Sequence, residues 1–227
     1  LAEEPWLEAA LHVFANADVL RYLAGETEAV EEMTLRRPGG AVERVSARGR
    51  QRGEYRVPTP RHDLFPRHGY RFSFARSPRF ATVLTDYGCP WPCTFCVIGT
   101  LGFQTRPVAD VLQEIDGLRA RGVREIFFMD QTFGARKRRA RELCAALAER
   151  GDLSGTAFAR PDTATDELLP EMARAGCHTL ILGVESADDD ALARYRKGTT
   201  TAEVRAAFAR VRAHGMRTVG TFIIGLP

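Results

Sequence analysis

The chain has 227 residues, 44% apolar and 27% charged, with a formal net charge of +3, enough apolar content to bury a real core. No run approaches the roughly 18 apolar residues that a membrane-spanning helix needs. The opening LAEEPWLEAALHVF is acidic and amphipathic where a secretory leader begins basic, so the cytoplasm is the expected compartment.

Charge is segregated along the chain. Residues 1–35 carry eight acids and one Arg, for −7, whereas residues 36–80 carry twelve Arg and three acids, for +9. The acidic segment reads as two helices, or as a helix with a short strand at Ala17–Tyr22. Residues 36–79, rich in Pro, Gly and Arg, read as a β-ribbon followed by an irregular linker. Their arginines are expected to pair with the acidic segment in a solvated connector; the alternative use of such a stretch is a nucleic acid or a phosphorylated partner. His62 and His68 read as linker residues rather than metal ligands.

From residue 80 two textures alternate. Phe80–Thr85, Glu125–Asp130, Gly155–Ala159, His178–Val184 and Arg217–Ile224 are short β-branched or aromatic runs, read as buried strands. Between them lie helical patterns, the first with Val108, Val111, Leu112, Ile115 and Leu118 on one face. Gly122, Gly151, Gly176, Gly198 and Gly215 close these patterns as C′ glycines, and Thr165 and Asp188 are candidate N-caps. Arg136-Lys137-Arg138-Arg139 reads as a solvated first helical turn. Strict alternation means parallel strands with right-handed crossovers, either a doubly wound sheet or a (β/α) barrel; periodicity does not separate the two. The start at Leu1 and the strand-like final run FIIGLP suggest a piece of a longer protein.

Three of the five cysteines fall within eight residues, in Gly88-Cys89-Pro90-Trp91-Pro92-Cys93-Thr94-Phe95-Cys96, directly after the first strand of the series. A disulfide framework spreads and pairs its cysteines. A structural zinc site takes four ligands in CxxC pairs, and a ferredoxin-type cluster takes four thiolates. Here Cys144 lies on the apolar face of a helix and Cys177 follows a helix-ending Gly, so both read as core residues. Three thiolates around four irons would leave one iron open to a small molecule, in a loop at the carboxyl ends of the strands where α/β folds bind ligands.

This CxxxCxxC, with a strand before it and a (β/α) series after it, resembles the radical SAM superfamily. The resemblance implies that Cys89, Cys93 and Cys96 hold a [4Fe-4S] cluster. Its open iron would chelate S-adenosylmethionine (SAM), and reductive cleavage would release a 5′-deoxyadenosyl radical, the electron coming from a donor such as flavodoxin or ferredoxin. By the same resemblance Phe95 packs near the adenine. Asp130 stands where the family places a polar group on the SAM amino group. Leu182-Gly183-Val184-Glu185-Ser186 and Lys197-Gly198-Thr199-Thr200 resemble the GxES…KGTT pattern of one large branch. Glu185 would then accept from the ribose hydroxyls and Lys197 would pair with the SAM carboxylate, with Arg160 a second candidate for that carboxylate. Gly220 and Gly225 fall in a strand like the family's glycine-containing one, whose backbone approaches the adenine.

The implied fold is a partial (β/α)6 radical SAM barrel with five strands present, over residues 80–227. Ala17-Asp18-Val19, Gly25-Glu26-Thr27-Glu28 and the stretch Pro60–Pro66 resemble the close of a Rossmann-like cobalamin-binding domain and its linker. On that resemblance residues 1–35 are the remnant of the domain and 36–79 the connection. Cobalamin, a small-molecule substrate and methyl transfer or related radical C–H chemistry follow as expectations; a nucleic-acid partner is not expected. A methylthiotransferase or RNA-modifying enzyme is the alternative within enzymes, although such families usually carry a second cysteine-ligated cluster and residues 1–88 contain no Cys. A structural metal-binding module is the alternative outside them.

Overall fold

The computed structural model describes residues 1, 3–13, 17–46, 51–65 and 70–225; His68 lies outside them. A short strand β1 (Ala9–Leu11) leads to helix α1 (Asp18–Leu23) and a hairpin of β2 (Glu32–Arg36) and β3 (Val42–Ser46). β2 is the centre of this antiparallel sheet, and Val30, Met33 and Leu35 form its small core. Asp18 is fully buried and binds the helix to the sheet by accepting from the backbone N–H groups of Glu31 (3.1 Å) and Glu32 (2.7 Å). The expectation for this segment is thus reversed, because the strand is at residues 9–11 and residues 18–23 are helical. Val19 and Leu20, inside the expected strand, are exposed.

The basic stretch also divides differently from a single ribbon. β3 completes the N-terminal hairpin, while β4 (Gln51–Glu54) pairs in parallel with a strand some fifty residues later. Arg37 joins the two charge blocks through Glu28 at 2.8 Å, but Arg56 and Arg61 turn to Asp110 and Asp63. His62 Nε2 donates to Glu114 Oε1 at 2.8 Å.

The larger unit follows. β5 (Phe80–Val83) is succeeded by an antiparallel pair, β6 (Asp86–Gly88) and β7 (Gly102–Thr105), that brackets the cysteine loop and receives β4 on its far side. Then come α2 (Val108–Ala120), β8 (Glu125–Phe128), α3 (Lys137–Ala148), β9 (Ser154–Ala159), α4 (Leu169–Arg174), β10 (Cys177–Glu185), α5 (Asp189–Arg194), α6 (Thr201–Ala213) and β11 (Arg217–Phe222). The five parallel strands lie in the order β5-β8-β9-β10-β11, each beside its predecessor. Sequential order with right-handed crossovers puts every helix on one face, which makes a partial barrel and excludes the doubly wound sheet, whose order reverses at a switch point. Val83, Ile115, Ile126, Leu143, Leu180 and Val211 pack between sheet and helices.

Local chemistry sets the ends of these elements. The five expected C′ glycines all have φ between 69° and 83°. Asp188 caps α5 by accepting from Asp190 and Ala191 N–H, and Thr200 with Glu203 forms a capping box on α6. Thr165 is not a cap: α4 begins only at Leu169, and the Thr165 hydroxyl is buried without a partner. Arg139 departs from the solvated-turn reading, since its guanidinium reaches inward to the carbonyls of Thr85 (2.9 Å) and Arg106 (2.7 Å).

The amino ends of the strands are closed by a buried polar plug. His178 Nε2 lies 2.8 Å from Glu125 Oε1, its Nδ1 2.8 Å from Thr179 Oγ1, and Ser154 donates to the other Glu125 oxygen. Above it Phe72 stacks on Phe127 with centroids 4.3 Å apart, and Phe127 meets Phe158 at 5.3 Å. Phe72 and Phe127 line a cavity of about 740 Å³ beside β5, whereas Phe158 borders the cavity on the face formed by the carboxyl ends of the strands.

Candidate active site

The cysteine loop is held rigidly to that face. Gly88 has φ 80°, and a Cβ there would lie 2.0 Å from the Gly102 carbonyl oxygen, so glycine alone lets β6 close on β7. The Cys89 N–H then donates to the same Gly102 oxygen at 3.0 Å. Thr94 N–H donates to the Tyr195 carbonyl at 2.9 Å, and the Phe95 ring meets Tyr195 edge-on at 5.9 Å. The loop is therefore fastened both to β7 and to the end of α5.

Cys89, Cys93 and Cys96 line one cavity of about 170 Å³ together with Phe95, Arg160, Glu185 and Lys197, so seven of the residues singled out in the sequence meet there. Burial raises the Cys89 thiol pKa, and Thr132 Oγ1 stands 4.0 Å from its sulfur. Lys197 Nζ donates to Glu185 Oε1 at 2.7 Å, with side chains only 5% and 11% exposed, and stands 6.0 Å from the Phe95 ring centre. Glu185 reaches this position from a left-handed backbone, φ 65°, at the end of β10. Gly183 makes room: a Cβ there would lie 2.5 Å from Glu185 Oε1 and 2.8 Å from Lys197 Nζ.

Four expected site residues fall outside the cavity. Asp130 is fully buried and accepts from Thr85 N–H (2.5 Å), Thr85 Oγ1 (2.6 Å) and Asp86 N–H (2.9 Å). It ties the end of β8 to the end of β5, and its neighbours Gln131 and Thr132 face the cavity instead. Ser186 accepts from Asp188 N–H and shapes the turn before α5. Gly220 faces Phe208 and Val184, where a Cβ would come within 3.2–3.3 Å, so its smallness serves packing and Thr221 is the residue of β11 at the cavity. Gly225 is an exposed bend beyond β11. Trp91, Gln131, Thr132, Gly183 and Thr221 also line the cavity, with Ile98, Phe158, Ala159 and Ile181 as its further apolar wall. Trp91, Gln131, Gly183 and Thr221 stand inside the motifs read from the sequence, but nothing local marked Thr132.

The donor set decides which metal fits. Among the described residues no three His, Cys, Asp or Glu side chains converge on a position for a single ion. Three thiols line the cavity, one fewer than the four ligands of a structural zinc site or a ferredoxin-type cluster. No fourth thiol is within reach, because Cys144 and Cys177 line a separate small apolar cavity among α3, α4 and the sheet. A [4Fe-4S] cluster with three protein ligands and one open iron fits these residues.

The model of the radical SAM superfamily matches residues 83–227. An uncharacterized methyltransferase of Pyrococcus horikoshii, PH0819, is 34% identical over 177 residues, 75% of this chain and 38% of that protein. The ribosomal protein uS12 methylthiotransferase RimO of Dechloromonas aromatica is 33% identical over 132 residues, 50% of this chain and 29% of its own length. The chain thus spans well under half of these curated relatives. Among solved structures, the radical SAM methyltransferase TsrM of Kitasatospora setae superposes with a TM-score of 0.77 at 19% identity, covering 97% of this chain and 46% of that one. The cobalamin-dependent SAM radical enzyme OxsB gives 0.74 at 22%, covering 93% and 32%. At such identities these two likenesses show the fold.

Proposed function

The chain belongs to the radical SAM superfamily, and we propose that it is the SAM-cleaving part of a cobalamin-dependent enzyme for methyl transfer or related radical C–H chemistry. The observation that carries the proposal is the single cavity in which the three cysteines meet a paired carboxylate and ammonium. Cys89, Cys93 and Cys96 would hold a [4Fe-4S] cluster, which when reduced supplies the electron that cleaves SAM to a 5′-deoxyadenosyl radical.

The remaining work falls to side chains of this chain. Glu185 and Lys197 offer a carboxylate suited to a ribose diol and an ammonium suited to a carboxylate. Without SAM each neutralises the other; binding would give Lys197 a carboxylate partner and Glu185 hydroxyl donors in exchange for that contact. Phe95, edge-on to Tyr195, presents a ring face at the cavity wall.

Support for cobalamin lies in the N-terminal residues. The likenesses to TsrM and OxsB cover 97% and 93% of the chain, so they extend well before the family match at residue 83. The methyltransferase name of the Pyrococcus relative favours methyl transfer. A second reading, methylthiotransfer, is favoured by the RimO relative.

The test is anaerobic reconstitution with iron and sulfide, followed by EPR spectroscopy with and without SAM and assay of 5′-deoxyadenosine. The expected result is a [4Fe-4S]⁺ signal that shifts with SAM and is lost in Cys93→Ala. A cluster indifferent to SAM overturns the enzyme reading. Titration with hydroxocobalamin, followed by visible absorption, separates the cobalamin reading from methylthiotransfer.

A further inference from the structure

We propose that Arg160 is a positioning residue for Cys93, donating to its sulfur and holding the cluster's reduction potential up, rather than a ligand of the SAM carboxylate. This rests on the reading that the three cysteines hold a [4Fe-4S] cluster.

Arg160 follows β9 and is only 4% exposed. Its backbone is fixed first: its N–H donates to Thr163 Oγ1 at 3.2 Å, and its carbonyl accepts from Thr163 N–H at 3.1 Å. The guanidinium is then committed nearly all round. Nε donates to Asp162 Oδ1 at 2.9 Å, and Nη2 donates to Asp162 Oδ2 at 3.2 Å and to the Lys197 carbonyl. Nη1 lies 3.6 Å from Cys93 Sγ, within reach of an N–H···S bond. One face of the plane rests on Trp91, 4.5 Å from the ring centre.

Of five N–H groups, one on Nη1 is left over. The bidentate grip that makes arginine a carboxylate receptor is spent on Asp162, so the fork has no second edge to offer SAM. Lys197, whose ammonium faces the cavity, remains for that carboxylate. Trp91 and Cys93 both belong to the cysteine loop, so this one planar cation sets the loop's distance from β9. Reduction adds negative charge to the cluster and its thiolates. An N–H donor and a cation held at one of those sulfurs favour the reduced form, and such contacts are a main lever on cluster potential.

The experiment measures the midpoint potential of the reconstituted protein without SAM, by EPR-monitored redox titration, and separately its SAM affinity. Arg160→Gln should make reduction at least about tenfold less favourable, about 59 mV more negative for one electron, with SAM affinity within about twofold. Asp162→Asn removes the opposing carboxylate while leaving the cation, and should move the potential the other way. If Arg160→Gln fails to hold a cluster, the sign of the Asp162→Asn shift decides alone. An unchanged potential with SAM binding weakened tenfold or more in Arg160→Gln makes Arg160 a SAM ligand and overturns the proposal. A negative shift in Asp162→Asn overturns it too, because it marks general loosening of the loop. Absence of any [4Fe-4S] signal from the unaltered protein is a different failure, that of the cluster reading itself.

Discussion

Replacing Asp130 by Ala tests whether this carboxylate is a fastener between strands or a contact for the cofactor. It accepts from two backbone N–H groups and one hydroxyl, all buried, and has no exposed surface of its own. Each buried donor left without an acceptor costs roughly 1–3 kcal/mol. Against that, Ala removes a desolvated charge that presses on the buried Asp86. The net loss should be about 3 kcal/mol, which at a urea dependence of about 2 kcal/mol per molar lowers the unfolding midpoint by about 1.5 M. Asp130→Asn keeps one acceptor in place and should lose clearly less. SAM affinity, measured by equilibrium dialysis without denaturant, should stay within about twofold, since Asp130 does not reach the cavity. An unchanged midpoint with SAM binding at least tenfold weaker would refute this and restore Asp130 to the site.

Three further substitutions probe other parts of the molecule. Burial, then the neighbouring Asp130, raises the Asp86 carboxyl well above the ordinary carboxylate range, and its Oδ1 has no donor. A raised folded-state pKa contributes stability that is complete below the unfolded pKa and is lost as pH climbs through the folded value. Asp86→Asn should therefore flatten the fall in urea midpoint as pH rises above about 4, and an unaltered slope would sink the assignment. Gly183→Ala places a Cβ against both Glu185 and Lys197; SAM affinity should fall at least about tenfold, the loss of one charged hydrogen bond, whereas an unaffected EPR shift with SAM would show that the pair is not a cofactor contact. His178→Ala opens the polar plug and leaves Glu125 short of a partner, at a cost of about 3 kcal/mol. Because the plug lies at the amino ends of the strands, SAM affinity should not change, and a selective loss of SAM binding would contradict that placement.

Much of this molecule is written in short-range pattern. The five parallel strands fall within two residues of the runs read from the sequence, and the five C′ glycines take the backbone they were expected to need. Cys89, Cys93 and Cys96 stand out by their spacing, and Glu185 and Lys197 by the resemblance of the motifs around them; all five line one cavity. These features are local: period, cap, turn and ligand spacing each depend on a handful of neighbouring residues. What stayed hidden depends on where a side chain points once distant segments pair. Whether Asp130 or Thr132 faces the cavity turns on how the chain bends after β8 to meet Thr85, and whether Gly220 or Thr221 does turns on the pleat of β11 beside β10. One residue of register exchanges the two faces of a strand. Arg139 looked like a solvated cation until the carbonyls of Thr85 and Arg106, more than thirty residues away, drew it inward. Local pattern was enough to place the elements and to single out the three cysteines; the choice of barrel over doubly wound sheet, and of which neighbouring residue faces the cavity, waited on the fold, because both are made by pairing between strands.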